Sequence, residues 1–90
     1  MVMVGKAQVK FAVRAMHEPN TLSRILEFFA LNDITPATLH AAKVGDDMQN
    51  IEVTCSDVDS HKAEVIANKI RQMVTVRTAR LEVTYLQQAA

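Results

Sequence analysis

The chain has two glycines, two prolines, one cysteine, no tryptophan and no surplus of either charge. Each scarcity excludes something. Gly5 and Gly45 alone make no glycine-rich loop that could cradle a phosphate. A lone cysteine, Cys55, rules out an intramolecular disulfide and any Cys-x-x-Cys metal knuckle, and it suits a reducing, cytoplasmic compartment. Ten basic residues balance ten acidic ones. A neutral chain lacks the field that attracts nucleic acid or an anionic membrane, and it leaves self-association unopposed. No apolar run approaches the roughly 20 residues of a membrane span. Met1-Val2-Met3-Val4 is too short for a signal-peptide core.

What is present fits one domain over residues 1–90, with its core over about 7–86. Hydrophobic residues at 49% and charged residues at 22% are ordinary for a globular protein, so a packed core is expected. Val9, Phe11 and Val13 alternate with polar residues, the period of a half-buried strand. Leu22, Ile25, Leu26 and Phe29 then follow at helical spacing, with Asn20 or Thr21 as cap and Asn32 as left-handed terminator. Phe28 and Leu31 extend the apolar surface toward the core edge or a partner helix. Pro36–Val44 reads as a second strand and Gly45-Asp46-Asp47 as a hairpin turn. A third strand is expected over Asn50–Cys55. Caps at Asp57, Asp59 or Ser60 open a second helix, whose stripe is Ala63, Ile66, Ala67, Ile70, Met73 and Val74. Val76–Leu86 reads as the last strand, with Gln87–Ala90 as a fraying end.

The halves form a weak repeat: Val9, Phe11 and Val13 lie 42 positions before Ile51, Val53 and Cys55, and Leu39 lies 42 before Leu81. Strand–helix–strand twice over predicts an α+β, ferredoxin-like βαββαβ domain: a four-stranded antiparallel sheet with two helices on one face. Right-handed crossovers put the first and third strands in the centre. The other sheet face carries Lys10, Arg14, His40, Glu52, Arg80 and Glu82 and is expected to be wet. The second strand is an edge with little charge to protect it, so a homodimer through that edge, the first helix, or both is expected.

Chemistry is sparse. His17, His40 and His61 fall at no metal-ligand spacing, Cys55 points inward with Ile51 and Val53, and the turn carboxylates form no acid–base pair. No catalytic residue, metal or cofactor is expected. RNA-recognition modules share the topology but stack bases on exposed aromatics of the central strands, which are missing here. Acylphosphatases also share it, but they need a basic loop where this chain has Met16-His17-Glu18-Pro19. The segment that stands out is His17 to Leu22, a strand running into a helix start whose free N–H groups can receive an anion.

Glu18-Pro19-Asn20-Thr21-Leu22-Ser23-Arg24-Ile25 and the following Phe29 resemble the strand-to-helix turn of ACT domains, above all that of the short, single-domain small subunit of acetolactate (acetohydroxyacid) synthase. Ile70-x-x-Met73-Val74-x-Val76 resembles the end of that family's second helix. The similarity spans about residues 8–84. It implies a non-catalytic regulatory subunit of branched-chain amino acid biosynthesis. Such a subunit pairs with itself, activates a large thiamine-diphosphate enzyme and binds a valine-like amino acid at the dimer interface. Carried over by position, the effector site is His17, Glu18, Pro19, Asn20, Thr21 and Leu22, completed by Thr35 and Pro36. The chain departs from the family at His17 and Thr35, where it has asparagine, and at Asn20, where it has glycine, so the groups an amino acid would touch are altered. The other reading is a standalone ACT domain that senses an amino acid and regulates a different partner.

Overall fold

Alternating apolar residues make β1 (Ala7–Met16) the axis of the molecule. Val9, Phe11, Val13 and Ala15 are all buried. β1 pairs antiparallel with β3 (Met48–Val58) on one side and β4 (Val76–Tyr85) on the other, and β2 (Thr38–Val44) continues the sheet beyond β3. The order β2-β3-β1-β4 puts the first and third strands in the centre, as the crossover rule predicts. The computed structural model describes residues 7–85; Met1–Val4, the expected strand end at Leu86 and the tail Gln87–Ala90 lie outside them. No helix among the described residues is long and apolar enough to cross a membrane.

α1 (Pro19–Leu31) and α2 (Ser60–Arg71) bring Ile25, Phe29, Ala63, Ile66, Ala67 and Ile70 onto the apolar sheet face. Phe29 meets Phe11 edge to face, with ring centroids 5.0 Å apart at 87°. That geometry suits the ring quadrupoles. Phe28 packs against the core edge, whereas Leu31 is 75% exposed. The opposite face is wet as expected, with Lys10 and Glu52 3.7 Å apart across it.

Several local expectations are corrected. The cap of α1 is Glu18 rather than Asn20 or Thr21. Pro19 prefers the first helical position and forces the residue before it into extended backbone, which makes Glu18 the boundary. Asn32 closes the helix without turning left-handed; Asp33 takes the positive φ instead, at 58°. β2 begins at Thr38, two residues after Pro36, and β3 runs on to Val58. Asp57 is the extra residue of a β-bulge, with φ 59°, so Cys55 and Val58 both face inward. α2 stops at Arg71, which leaves Val74 in a turn and 90% exposed. Of the three candidate caps for α2, Asp59 is the one used, and Gly45 supplies the left-handed position of the expected hairpin turn.

Candidate functional site

Three turns gather at one end of the sheet, and β1 hands over to α1 between the other two. The His17 N–H donates to the Asp47 carbonyl of the β2–β3 hairpin at 2.7 Å, and the Met16 N–H donates to the Thr75 carbonyl of the α2–β4 turn at 2.8 Å. From below, the buried Gln49 donates its Nε2 to the Met16 carbonyl at 2.8 Å. The turn is therefore pinned on three sides, and its shape does not depend on a ligand.

The start of α1 is occupied from within. Glu18 Oε2 accepts from both the backbone N–H and the hydroxyl of Thr21. Thr21 is 1% exposed, and its Oγ1 lies 2.7 Å from Thr75 Oγ1. A hydroxyl has one proton, and Thr21 gives its proton to a carboxylate that can only accept, so Thr75 is the donor to Thr21. This chain of bonds ties the first helix to the turn before β4. Pro19 has no N–H to offer. The place expected for a ligand's anion is thus filled by a side chain of the turn itself.

The eight expected effector residues separate into groups. Glu18, Asn20 and Thr21 line one open groove of about 730 Å³ between α1 and the end of α2. His17 and Pro19 are exposed beside it, and Leu22 turns toward the core. Thr35 and Pro36 stand elsewhere. They precede Thr38, which pairs with Thr54, and Thr54 lies opposite Lys10 of β1. Lys10 is six residues from Met16, so at about 3.3 Å per residue these two positions are about 20 Å or more from the turn within one chain.

The groove also takes in residues that sequence reasoning missed. Arg24 and Glu27 come from α1, Lys69 and Gln72 from α2, and Met73, Val74 and Thr75 from the following turn. Among the described residues, Arg24, Glu27 and Lys69 have no ion-pair partner. One signal was available: Asn20, Ser23, Arg24 and Glu27 fall at the spacing of a single helix face. Nothing comparable pointed to Thr75.

The remaining polar groups do not converge. His40 and His61 are exposed on the wet sheet face and at the start of α2. No group of three or more His, Cys, Asp or Glu among the described residues could hold a metal ion. Cys55 is fully buried, and burial pushes its thiol from 9.0 up to about 11, the Ala37 N–H opposing this in part. A thiol of that kind is a core residue and a poor nucleophile.

A family model described as an ACT-like domain matches residues 4–88. Among solved structures, the ACT domain from the GTP pyrophosphokinase of Chlorobium tepidum is similar over 86% of this chain and 99% of its own, at 12% identity and a TM-score of 0.72. The C-terminal domain of the MgtC protein from Mycobacterium tuberculosis is similar over the full length of both chains, at 17% identity and a TM-score of 0.71. The regulatory subunit of aspartate kinase from Thermus thermophilus is similar over 86% of this chain and 54% of its own, at 12% identity and a TM-score of 0.65. At these identities the likeness is one of fold. No curated protein sequence matches the chain.

Proposed function

Since the chain belongs to the ACT-like domain family, we propose that it is a non-catalytic regulatory subunit that works by pairing with itself and contacting a larger enzyme, the large catalytic subunit of acetolactate synthase. The bare second strand carries this reading. Leu39 and Ala41 point to the helix side of the sheet, opposite the buried Val53 and Ile51, yet both are exposed. An uncovered apolar strand at a sheet edge is a template for a second copy. If two β2 strands pair antiparallel about Ala41, Pro36 of one copy comes opposite Asp46 of the other. The neighbouring Asp47 carbonyl already holds the His17 N–H. The dimer thus reunites Thr35 and Pro36 with His17, Glu18, Pro19, Asn20, Thr21 and Leu22, which one chain keeps apart.

The choice of acetolactate synthase rests on the resemblance of Glu18-Pro19 and Leu22-Ser23-Arg24-Ile25 to its small subunit. The internal capping by Glu18 favours subunit contact over effector binding as the main task, because an amino acid carboxylate would have to compete with a tethered one. The test is reconstitution with a large catalytic subunit: co-purification and a raised turnover are expected, and absence of stimulation overturns the reading.

A second reading is supported by the neighbours, which include the ACT domain of a GTP pyrophosphokinase and the regulatory subunit of an aspartate kinase. In that reading the chain is a standalone amino-acid sensor for another partner. A thermal-shift screen of the amino acids separates the two, since a ligand at 100 times its Kd adds about 2.7 kcal/mol.

A further inference from the structure

β4 ends the sheet on the side away from β2, and among the described residues nothing pairs with its outer edge. The Met16 N–H points to the Thr75 carbonyl, just before β4. Backbone groups alternate in direction along a strand, so Arg14, Ala12, Lys10 and Gln8 also turn theirs toward β4. Their partners Thr78, Arg80, Glu82 and Thr84 are thereby used in the ladder. Ala79, Leu81 and Val83 are left with N–H and C=O groups at the free edge. One of these carbonyls is already met. Arg71, at the end of α2, donates Nε to the Ala79 carbonyl at 2.8 Å. Its Nη1 donates to Asn68 Oδ1 at 2.8 Å, which holds the guanidinium in place. An incoming strand would set an amide nitrogen about 2.9 Å from the same oxygen. Arg71 Nε stands where that nitrogen would stand.

The edge itself is self-complementary. Thr78-Ala79-Arg80-Leu81-Glu82-Val83-Thr84 reads threonine, apolar, cation, leucine, anion, apolar, threonine. Two β4 strands paired antiparallel about Leu81 set Arg80 opposite Glu82, Ala79 opposite Val83 and Thr78 opposite Thr84, each of them twice. Opposite charges and paired threonines are favourable cross-strand neighbours. Arg80 and Glu82 are exposed and have no ion-pair partner among the described residues. In this register they meet at the positions without ladder hydrogen bonds, where side chains come closest.

We propose that β4 is a latent interface for a second copy of this chain and that Arg71 is the latch that keeps it closed. An arginine serving only its own helix end would bond the last carbonyls of α2. This one reaches a strand eight residues further on. The latch matters because a self-pairing contact at each edge of the sheet would extend it from copy to copy without end. With Arg71 in place, assembly stops at the β2 pair. That consequence rests on the dimer reading, whereas the latch itself does not.

The experiment is sedimentation of Arg71→Ala in the Leu39→Lys background, where β2 pairing is suppressed. Arg71 is exposed, so the fold is expected to persist. The double variant should self-associate at least about tenfold more tightly than Leu39→Lys alone. Adding Arg80→Glu or Glu82→Arg sets like charges opposite one another and should reverse that gain. Mixing these two charge variants restores opposite charges at both contacts, and they should associate with each other about as tightly as the parent. Asn68→Ala frees the guanidinium without removing it and should give a smaller gain of the same kind. Amide hydrogen exchange supplies a second readout: the N–H groups of Ala79, Leu81 and Val83 should slow at least about tenfold on association. Association indifferent to both charge reversals would overturn the β4 register. Unchanged sedimentation and exchange in folded Arg71→Ala would overturn the latch. Failure of the β2 reading shows separately, as association of Leu39→Lys alone that Arg80→Glu does not alter; exchange at Ala79, Leu81 and Val83 then still decides the latch.

Discussion

Leu39 and Leu81 occupy equivalent places in the two halves of the chain, 42 residues apart, and their surroundings differ. Leu81 packs against the core, whereas Leu39 is 43% exposed. The sequence around them is equally apolar; the cover is not. α2 lies directly against β4, and Arg71 at its end donates Nε to the Ala79 carbonyl at 2.8 Å. Among the described residues, neither helix lies over β2 as α2 lies over β4. A duplicated strand–helix–strand unit placed twice in one sheet leaves its two outer strands in unlike positions, one covered within the chain and one left bare. Beneath the helices the halves remain alike: Thr21 and Ile25 match Ala63 and Ala67 at the same offset, and all four are buried.

That likeness can be broken first at the ends of the helical stripes. Phe29→Ala removes the ring that meets Phe11 and should cost about 3–5 kcal/mol in chemical denaturation; Ile70→Ala, equally buried, should cost about 2–5 kcal/mol. Comparable losses mean both helices are anchored alike. A small loss at Ile70 alone would extend the asymmetry of the outer strands into the core.

The third strand offers a pH-dependent version of the comparison. Cys55 matches Val13 of β1, and both are buried. Its thiol is raised to about 11 in the folded state by burial, so the folded protein resists ionisation that the unfolded chain accepts from about pH 9. Its contribution is therefore complete below pH 9 and is lost as pH rises toward 11, by about 2–3 kcal/mol at roughly 1.4 kcal/mol per pH unit. Cys55→Val copies the first half and should remove this step. The measurement is the difference between the two proteins' stability–pH curves, since lysines and the tyrosine add a background common to both.

At the helix starts the halves differ by a hydroxyl and a methyl, at Thr21 and Ala63. Thr21→Ala copies Ala63 and severs the hydroxyl's bonds to Glu18 and Thr75 while keeping the backbone N–H bond to Glu18, for an expected loss of about 1–2 kcal/mol. No loss would mean that the link between α1 and the α2–β4 turn contributes nothing.

These residues also show what could be read before the structure. Val9, Phe11, Val13, Ile25, Phe29 and Ile70 are legible because spacing and burial coincide, and the order of elements then dictates the topology. The start of α1 is not, because Asn20 and Thr21 have better capping chemistry than Glu18 and only the backbone demand of Pro19 moves the boundary. Val74 misleads because the apolar spacing continues after the helix has stopped. The candidate site was half legible. The turn stands out by composition, but Thr35 and Pro36 belong to the far end of the sheet, and Arg24, Glu27 and Lys69 look like ordinary solvated charges until two helices bring them to one groove.

The smallest expected effect on folding tests the opening contrast most directly. At concentrations where the chain is monomeric, Leu39→Lys should leave its stability within about 0.5 kcal/mol, because the side chain already meets water. The same change at Leu81 forces an ammonium against the core and should cost more than about 1 kcal/mol. At higher concentration the order of importance reverses. Leu39→Lys should abolish the concentration dependence expected in sedimentation of the unaltered chain, since each new lysine would face Lys43 of the other copy across β2 strands paired about Ala41. If Leu39→Lys instead destabilises the monomer, β2 is covered by its own chain in solution. The edge would then not be the pairing surface, and Thr35 and Pro36 would remain about 20 Å from the turn.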